Sequence, residues 1–178
     1  MMSAAGTAGL SVAGCTMAGM ASWREIETEV PELAGRVREL LDAHRHKTMA
    51  TLRRDGSPRI SGTEARFQDG ELWLGSMPGS VKAKDLRRDP RLALHSGSED
   101  PDDEDPSGWA GDAKLAGRAV EVTDPQVLGG FELPEGQESH LFRIDVAEVV
   151  RTFVDADGEH LVIQMWHEGR GFREVRRR

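Results

Sequence analysis

Thr48-Met49-Ala50-Thr51-Leu52-Arg53-Arg54-Asp55-Gly56-Ser57-Pro58-Arg59-Ile60-Ser61-Gly62-Thr63-Glu64-Ala65-Arg66-Phe67-Gln68-Asp69-Gly70-Glu71-Leu72-Trp73-Leu74-Gly75-Ser76 is the stretch that decides the fold. Asp55-Gly56, followed by Ser57-Pro58, is a strong hairpin signal, because only a few residue types tolerate the positive φ of a tight two-residue turn. Gln68-Asp69-Gly70 is a second turn. The two turns divide the stretch into strands over 48–53, 59–67 and 71–76. Connections this short cannot join parallel strands, so the segment reads as an antiparallel meander.

Further elements are read outward from this meander. Upstream, Ser22 and Glu25 match a capping box, and Leu33, Val37, Leu40 and Leu41 recur at helical spacing. The spacing predicts one amphipathic helix over 23–44, bent at Pro31, that covers a sheet face. Downstream, Ser80 caps a helix over 80–88 that Asp89-Pro90 ends. Strands follow over 91–96 and 113–122, and a last hairpin joins 141–154 to 160–166 around Asp155-Ala156-Asp157-Gly158. Between 99 and 112 lie seven carboxylates and no basic residue, which reads as a solvated loop. Residues 170–178 read as a basic tail. About six strands with one leading and one inserted helix predict a small antiparallel barrel, mainly β with some α.

The chain has 178 residues, enough for a single domain with a core, here placed over 22–178. Residues 1–21 carry no charged side chain and are built from small residues, which predicts a disordered extension. Val12-Ala13-Gly14-Cys15 is similar to a lipoprotein cleavage box, but no basic residue precedes it and glycines interrupt the apolar run. Met17 and Met20 are alternative starts. No apolar run reaches the length of a membrane-spanning helix. The net charge of −8 argues against a general electrostatic partnership with nucleic acid. A single cysteine excludes an internal disulfide and a cysteine-built zinc cage. A cytoplasmic protein is the expectation.

No nucleophile elbow, Walker loop or dinucleotide fingerprint is present. His44, His46, His95, His140, His160 and His167 lack the spacing of a known metal site. The best local site is the start of the inserted helix, after Gly75-Ser76. Helix N-termini present free N–H groups and attract phosphate. Ser76 and Ser80 add hydroxyls, and Lys82 and Lys84 place cations where the helix dipole disfavours them unless an anion is near. A phosphate clamp and a surface helix with two solvated lysines are both compatible with that pattern. Gly62 in Ser61-Gly62-Thr63 weakens a strand unless a group must approach the backbone, which a flat ring or a simple bulge would each explain. Trp109 could stack on such a ring, and Trp166 is either core, the preferred reading, or part of the same pocket.

Three pieces carry a resemblance to a known family. Met49-Ala50-Thr51-Leu52-Arg53-Arg54-Asp55-Gly56-Ser57-Pro58 resembles the opening hairpin of the pyridoxamine 5′-phosphate oxidase-like split β-barrel proteins, and Phe67-Gln68-Asp69-Gly70-Glu71-Leu72-Trp73 resembles their next turn and strand. Lys82-Ala83-Lys84-Asp85-Leu86-Arg87-Arg88-Asp89-Pro90-Arg91 resembles their inserted helix. The resemblance spans 48–123. It implies a six-stranded FMN-binding split barrel that holds a flavin-type cofactor at a homodimer interface. That cofactor is either FMN or the deazaflavin coenzyme F420, the latter in an actinobacterial branch that this sequence resembles more. It also implies that Lys82 meets the cofactor phosphate with Lys84 beside it, that Ser61, Gly62 and Thr63 line the ring, and that Trp109 occupies an aromatic position. Ser80 stands where the family has a basic residue. The substrate motif of true pyridoxamine 5′-phosphate oxidases is not recognisable over 163–178. The implied activity is hydride transfer between the cofactor and a small unsaturated organic substrate, with no catalytic side chain named. A non-catalytic flavin- or haem-binding protein is the alternative, with a histidine as axial ligand to haem. An interaction module with an empty barrel is a third. Arg59, Arg87 and Arg88 are the candidates for an acidic cofactor tail.

Overall fold

The computed structural model describes residues 20–131 and 139–178. Residues 1–19, including the cleavage-box motif and Met17, lie outside the described residues. Ser22 caps the first helix, α1 (Trp23–Glu29): its hydroxyl accepts from the Glu25 N–H, while the Glu25 carboxylate accepts from the Ser22 N–H. The helix expected over 23–44 is two helices. Val30 takes an extended φ of −134° ahead of Pro31, whose ring disfavours helical backbone in the preceding residue. α2 (Pro31–Asp42) then buries Leu33, Ala34, Val37 and Leu41 against the sheet, and Leu40 packs partly against the core.

The strands are β1 (Lys47–Leu52), β2 (Pro58–Thr63), β3 (Ala65–Gln68), β4 (Glu71–Ser76), β5 (Arg91–His95), β6 (Asp112–Val122), β7 (His140–Val154), β8 (Leu161–His167) and β9 (Gly171–Arg177). Helix α3 (Val81–Arg88) lies between β4 and β5, and the short α4 (Pro125–Leu128) follows β6. All pairings are antiparallel, in the order β2-β1-β5-β6-β7-β4-β3. The two ends of this path, β2 and β3, are joined in sequence by Glu64 alone, so the sheet curls back toward itself without a closing ladder. This corrects the single strand expected over 59–67. The chain leaves β1 at Thr63 and joins β4 at Ala65.

Among the described residues the count is nine strands rather than six. Residues 170–178 are not a tail: β9 pairs with β8, and that hairpin hangs on the later half of β7, along the edge that β4 occupies in its earlier half. β6 runs along the other edge of β7, with a register shift at Ala116/Gly117. Ala21, assigned by sequence to the extension, is buried and exchanges two 2.8 Å backbone hydrogen bonds with Val146. Trp23, Ile26, Phe142, Ile144 and Trp166 fill the core, Trp166 as expected.

Candidate functional site: a cleft between β2, β4 and α3

β4 ends at Gly75-Ser76, and the chain turns through Met77-Pro78-Gly79, where Gly79 adopts φ +68°. That left-handed step is open to glycine without strain, and it places Ser80 as the α3 N-cap. The Ser80 hydroxyl accepts from the Ala83 N–H at 3.2 Å and lies 2.6 Å from the Ser76 hydroxyl. Two residues on, the Lys82 ammonium reaches across to β2 and donates to the Gly62 carbonyl at 2.7 Å. Burial lowers the Lys82 pKa, opposed in part by the Glu64 carboxylate.

The position of α3 is fixed from behind by Asp85. Its carboxylate is buried and accepts from Thr51 Oγ1 at 3.2 Å, Arg59 Nε at 2.6 Å and an Arg88 terminal nitrogen at 2.9 Å. Arg88 also donates to the Leu52 carbonyl. One carboxylate thus joins α3 to β1 and β2. Burial alone would raise the Asp85 pKa, but the hydrogen bonds from Arg59, Arg88 and Thr51 outweigh it and hold the group below the usual carboxylate range.

These elements frame a cleft of about 650 Å³. Gly62, Thr63, Ser76, Ser80 and Lys82, all singled out from the sequence, line it together. Ser61, Lys84 and Trp109 do not. Ser61 is the β2 neighbour of Gly62, paired opposite Met49. Lys84 is exposed on the outer side of α3. The Trp109 indole N–H donates to Ser98 Oγ at 3.2 Å and the Glu99 carbonyl at 2.8 Å, and so ties down its own acidic loop. Arg59 and Arg88 are committed to Asp85, and Arg87 pairs with Glu121 at 3.0 Å. None of these three arginines lines the cleft.

Sequence reasoning missed the opposite wall. Trp73 on β4 and Phe131 after α4 pack with ring centroids 4.8 Å apart, and Arg45, Arg66 and Ser139 complete that side. No local motif marks these positions. They converge only because β7 begins beside β4 and the chain crosses from β2 to β3 at Glu64. Arg45 pairs with Glu64 at 3.0 Å in an exposed position.

Several features leave the cleft open to a bound ligand. A Cβ added at Gly62 or at Gly75 would meet nothing within 4 Å, so the chain itself does not require glycine at either place. Gly62 sits in unbroken register opposite Thr48, which removes the bulge explanation. The Thr63 and Ser139 hydroxyls are buried at the cleft and have no hydrogen-bond partner among the described residues. Buried polar atoms without partners are uncommon and mark where a ligand can supply them. Among the described residues, no group of three His, Cys, Asp or Glu side chains is placed to hold a metal.

The profile of the pyridoxamine 5′-phosphate oxidase family matches residues 33–153, more than half of the chain. The chain belongs to the pyridoxamine 5′-phosphate oxidase family. No curated protein matches the sequence. Among solved structures, the fold is similar to a putative pyridoxamine 5′-phosphate oxidase from Listeria innocua at 16% identity, TM-score 0.55, over 67% of this chain and 98% of that one. It is similar to a pyridoxamine 5′-phosphate oxidase-related, FMN-binding protein from Nostoc punctiforme at 14% identity, TM-score 0.55, over 86% and 97%. It is also similar to PhzG from Burkholderia lata, solved with tetrahydrophenazine-1-carboxylic acid, at 13% identity, TM-score 0.53, over 81% and 85%. At these identities the likeness is one of fold. The matched span holds both the Lys82–Gly62 contact and the Asp85 anchor.

Proposed function

We propose that this family member binds FMN or coenzyme F420 in the cleft and is an oxidoreductase acting on a small unsaturated organic substrate. The observation that carries the reading is the Lys82 bridge. A cation from the first turn of α3 stands beside two serine hydroxyls and the open edge of Gly62. Such a corner suits a phosphate, since a helix N-terminus, an ammonium and hydroxyl donors all favour negative charge. A flat ring then lies along Gly62 and Thr63, with the Thr63 hydroxyl free to bond a ring heteroatom. The bound cofactor supplies the hydride chemistry; the protein supplies orientation and a shielded site. Trp73 and Phe131 give the far wall an apolar, aromatic surface for a substrate.

Arg66 lines the cleft and makes no ion pair among the described residues, which makes it the best-placed cation for an acidic cofactor tail. Two copies are proposed to share the site. Ile60, Met77 and Val81 are 76%, 73% and 52% exposed on the elements that frame it, an apolar surface that a second copy would cover. Trp109 would then reach the site from the partner's side.

The test is a side-by-side fluorescence titration of the purified protein with coenzyme F420 and FMN. Saturable binding of either supports the reading, and the tighter one names the cofactor. Binding of neither overturns it, and a haem absorption band on the purified protein would move the haem-carrier alternative, with His46 at the cleft, ahead of it.

A further inference from the structure

A second cavity, of about 400 Å³, lies between the start of α2 and the β7–β9 hairpin region, lined by Glu32, Leu33, Arg36, Arg151, Gln164 and Phe172. It shares no lining residue with the cleft. Arg151 is ten residues along β7 from Leu141 of the cleft wall, about 33 Å of extended strand.

Arg151 is the unusual group here. Its Nε is buried and has no acceptor, and its guanidinium forms no ion pair among the described residues. Its guanidinium carbon stacks over the Phe153 ring, 4.0 Å from the ring centroid. The other groups at the cavity are already assigned. Arg36 pairs with Glu39 at 2.8 Å, and the Gln164 amide donates to Glu174 at 3.0 Å. Glu32 also lines the cavity and pairs with neither arginine among the described residues. Burial, with Arg36 as a like charge nearby, makes the Arg151 cation harder to hold, while Glu39 only partly offsets this. A buried guanidinium Nε–H without an acceptor is costly to leave unpaired, and the planar fork it belongs to suits an oxyanion. Beside it Leu33 is buried, and Phe172 is 51% exposed despite its size. The cavity therefore offers one planar cationic fork and an apolar wall. Because Glu39 already pairs with Arg36, Arg151 is the cation left for a ligand, and the cavity suits a single anionic group on an apolar body rather than a polyanion.

We propose that this cavity is a binding site for a small organic monoanion, its oxyanion on the Arg151 guanidinium and its apolar part against Phe172 and Leu33. The shared chemistry is an oxyanion, either a carboxylate or a phosphate. The test follows the Arg151 Nε–H resonance and the backbone amides of the full chain by NMR during titration with benzoate and, separately, with inorganic phosphate. The expected result is a saturable shift of the Arg151 Nε–H together with the Gln164 and Phe172 amides. Saturation by benzoate alone assigns a carboxylate ligand; saturation by phosphate alone assigns a phosphate. In Arg151→Met, affinity should fall by about tenfold or more, as the loss of a charge-assisted donor pair predicts. Arg36→Gln, on the exposed face of α2, provides a second variant if Arg151→Met fails to fold, and should weaken binding severalfold. No saturable shift at Arg151 by ~10 mM of either probe, which is weaker than any useful affinity, overturns the proposal. So does binding that both variants leave unchanged.

Discussion

The Lys82 ammonium and the Gly62 carbonyl, 20 residues apart in sequence, meet at 2.7 Å and tie the first turn of α3 to the open end of the β1–β2 ladder. An ammonium carries three donors. One is used on Gly62, so the remainder can address a phosphate without the side chain having to reorder. The same contact explains why two lysines near a helix N-terminus do not behave alike: Lys82 is held over the cleft, and Lys84 is in water.

Lys82→Ala should weaken binding of the preferred cofactor by about 1.5–3 kcal/mol, the range for a charge-assisted hydrogen bond. Lys84→Ala should change it by no more than about 0.5 kcal/mol, as for an exposed charge. Fluorescence titration of both variants checks this, and equal losses at the two positions would remove Lys82 from the clamp.

Asp85→Asn should cost about 2–3 kcal/mol of stability, below the cost of breaking a wholly buried pair because Arg59 and Arg88 still reach water. The sign of its pH dependence follows from the lowered folded-state pKa. The stabilisation from this carboxylate is present above the unfolded pKa of about 3.9 and is lost as pH falls through the folded value. Urea melts of wild type and Asp85→Asn at a series of pH values should therefore converge in acid. A constant gap across that range would show that ionisation of Asp85 is not the source.

Gly62→Ala and Gly117→Ala should separate binding from folding. At Gly62 a Cβ meets no atom within 4 Å, so stability should stay within about 1 kcal/mol of wild type while cofactor affinity falls as the methyl enters the cleft. At Gly117 a Cβ would stand 2.3 Å from the Asp145 carbonyl oxygen, beside the β6–β7 register shift. That overlap is with backbone, so Gly117→Ala should lose about 1–3 kcal/mol or more. Thermal melts paired with titrations read both effects.

Removal of residues 1–20 should leave the melting temperature and cofactor binding unchanged, because this stretch contains no charged side chain and little that can build a core. Removal of 1–22 should lower the melting temperature, since it takes the Ala21–Val146 bridge and the Ser22 cap of α1. An N-cap alone contributes about 1 kcal/mol. A first truncation that already destabilises the protein would show that the extension packs on the fold.

The sequence by itself determined the local features. Asp69-Gly70 forms a two-residue turn with both residues at positive φ, Asp55-Gly56 turns the chain within a longer loop over 53–57 in which only Gly56 has positive φ, and Ser22, Ser80 and Pro31 act where capping and proline chemistry place them, because these effects involve residues within a few positions of one another. It likewise identified Gly62, Thr63, Ser76, Ser80 and Lys82, which converge on one cleft. Long-range pairing decided the rest. The break at Glu64 leaves no mark in a run whose polarity alternates on both sides of it, since a strand that changes partner keeps its period. β9 was hidden because an exposed edge strand rich in arginine has no buried face to write a pattern. Arg59 and Arg88 read as free cations until the fold brought Asp85 against them, and Trp73, Phe131 and Ser139 became one wall only when β7 was laid beside β4. Turns and caps are properties of neighbouring residues, whereas a site built across a curled sheet depends on which strands pair, and that is settled by the burial of the whole core at once.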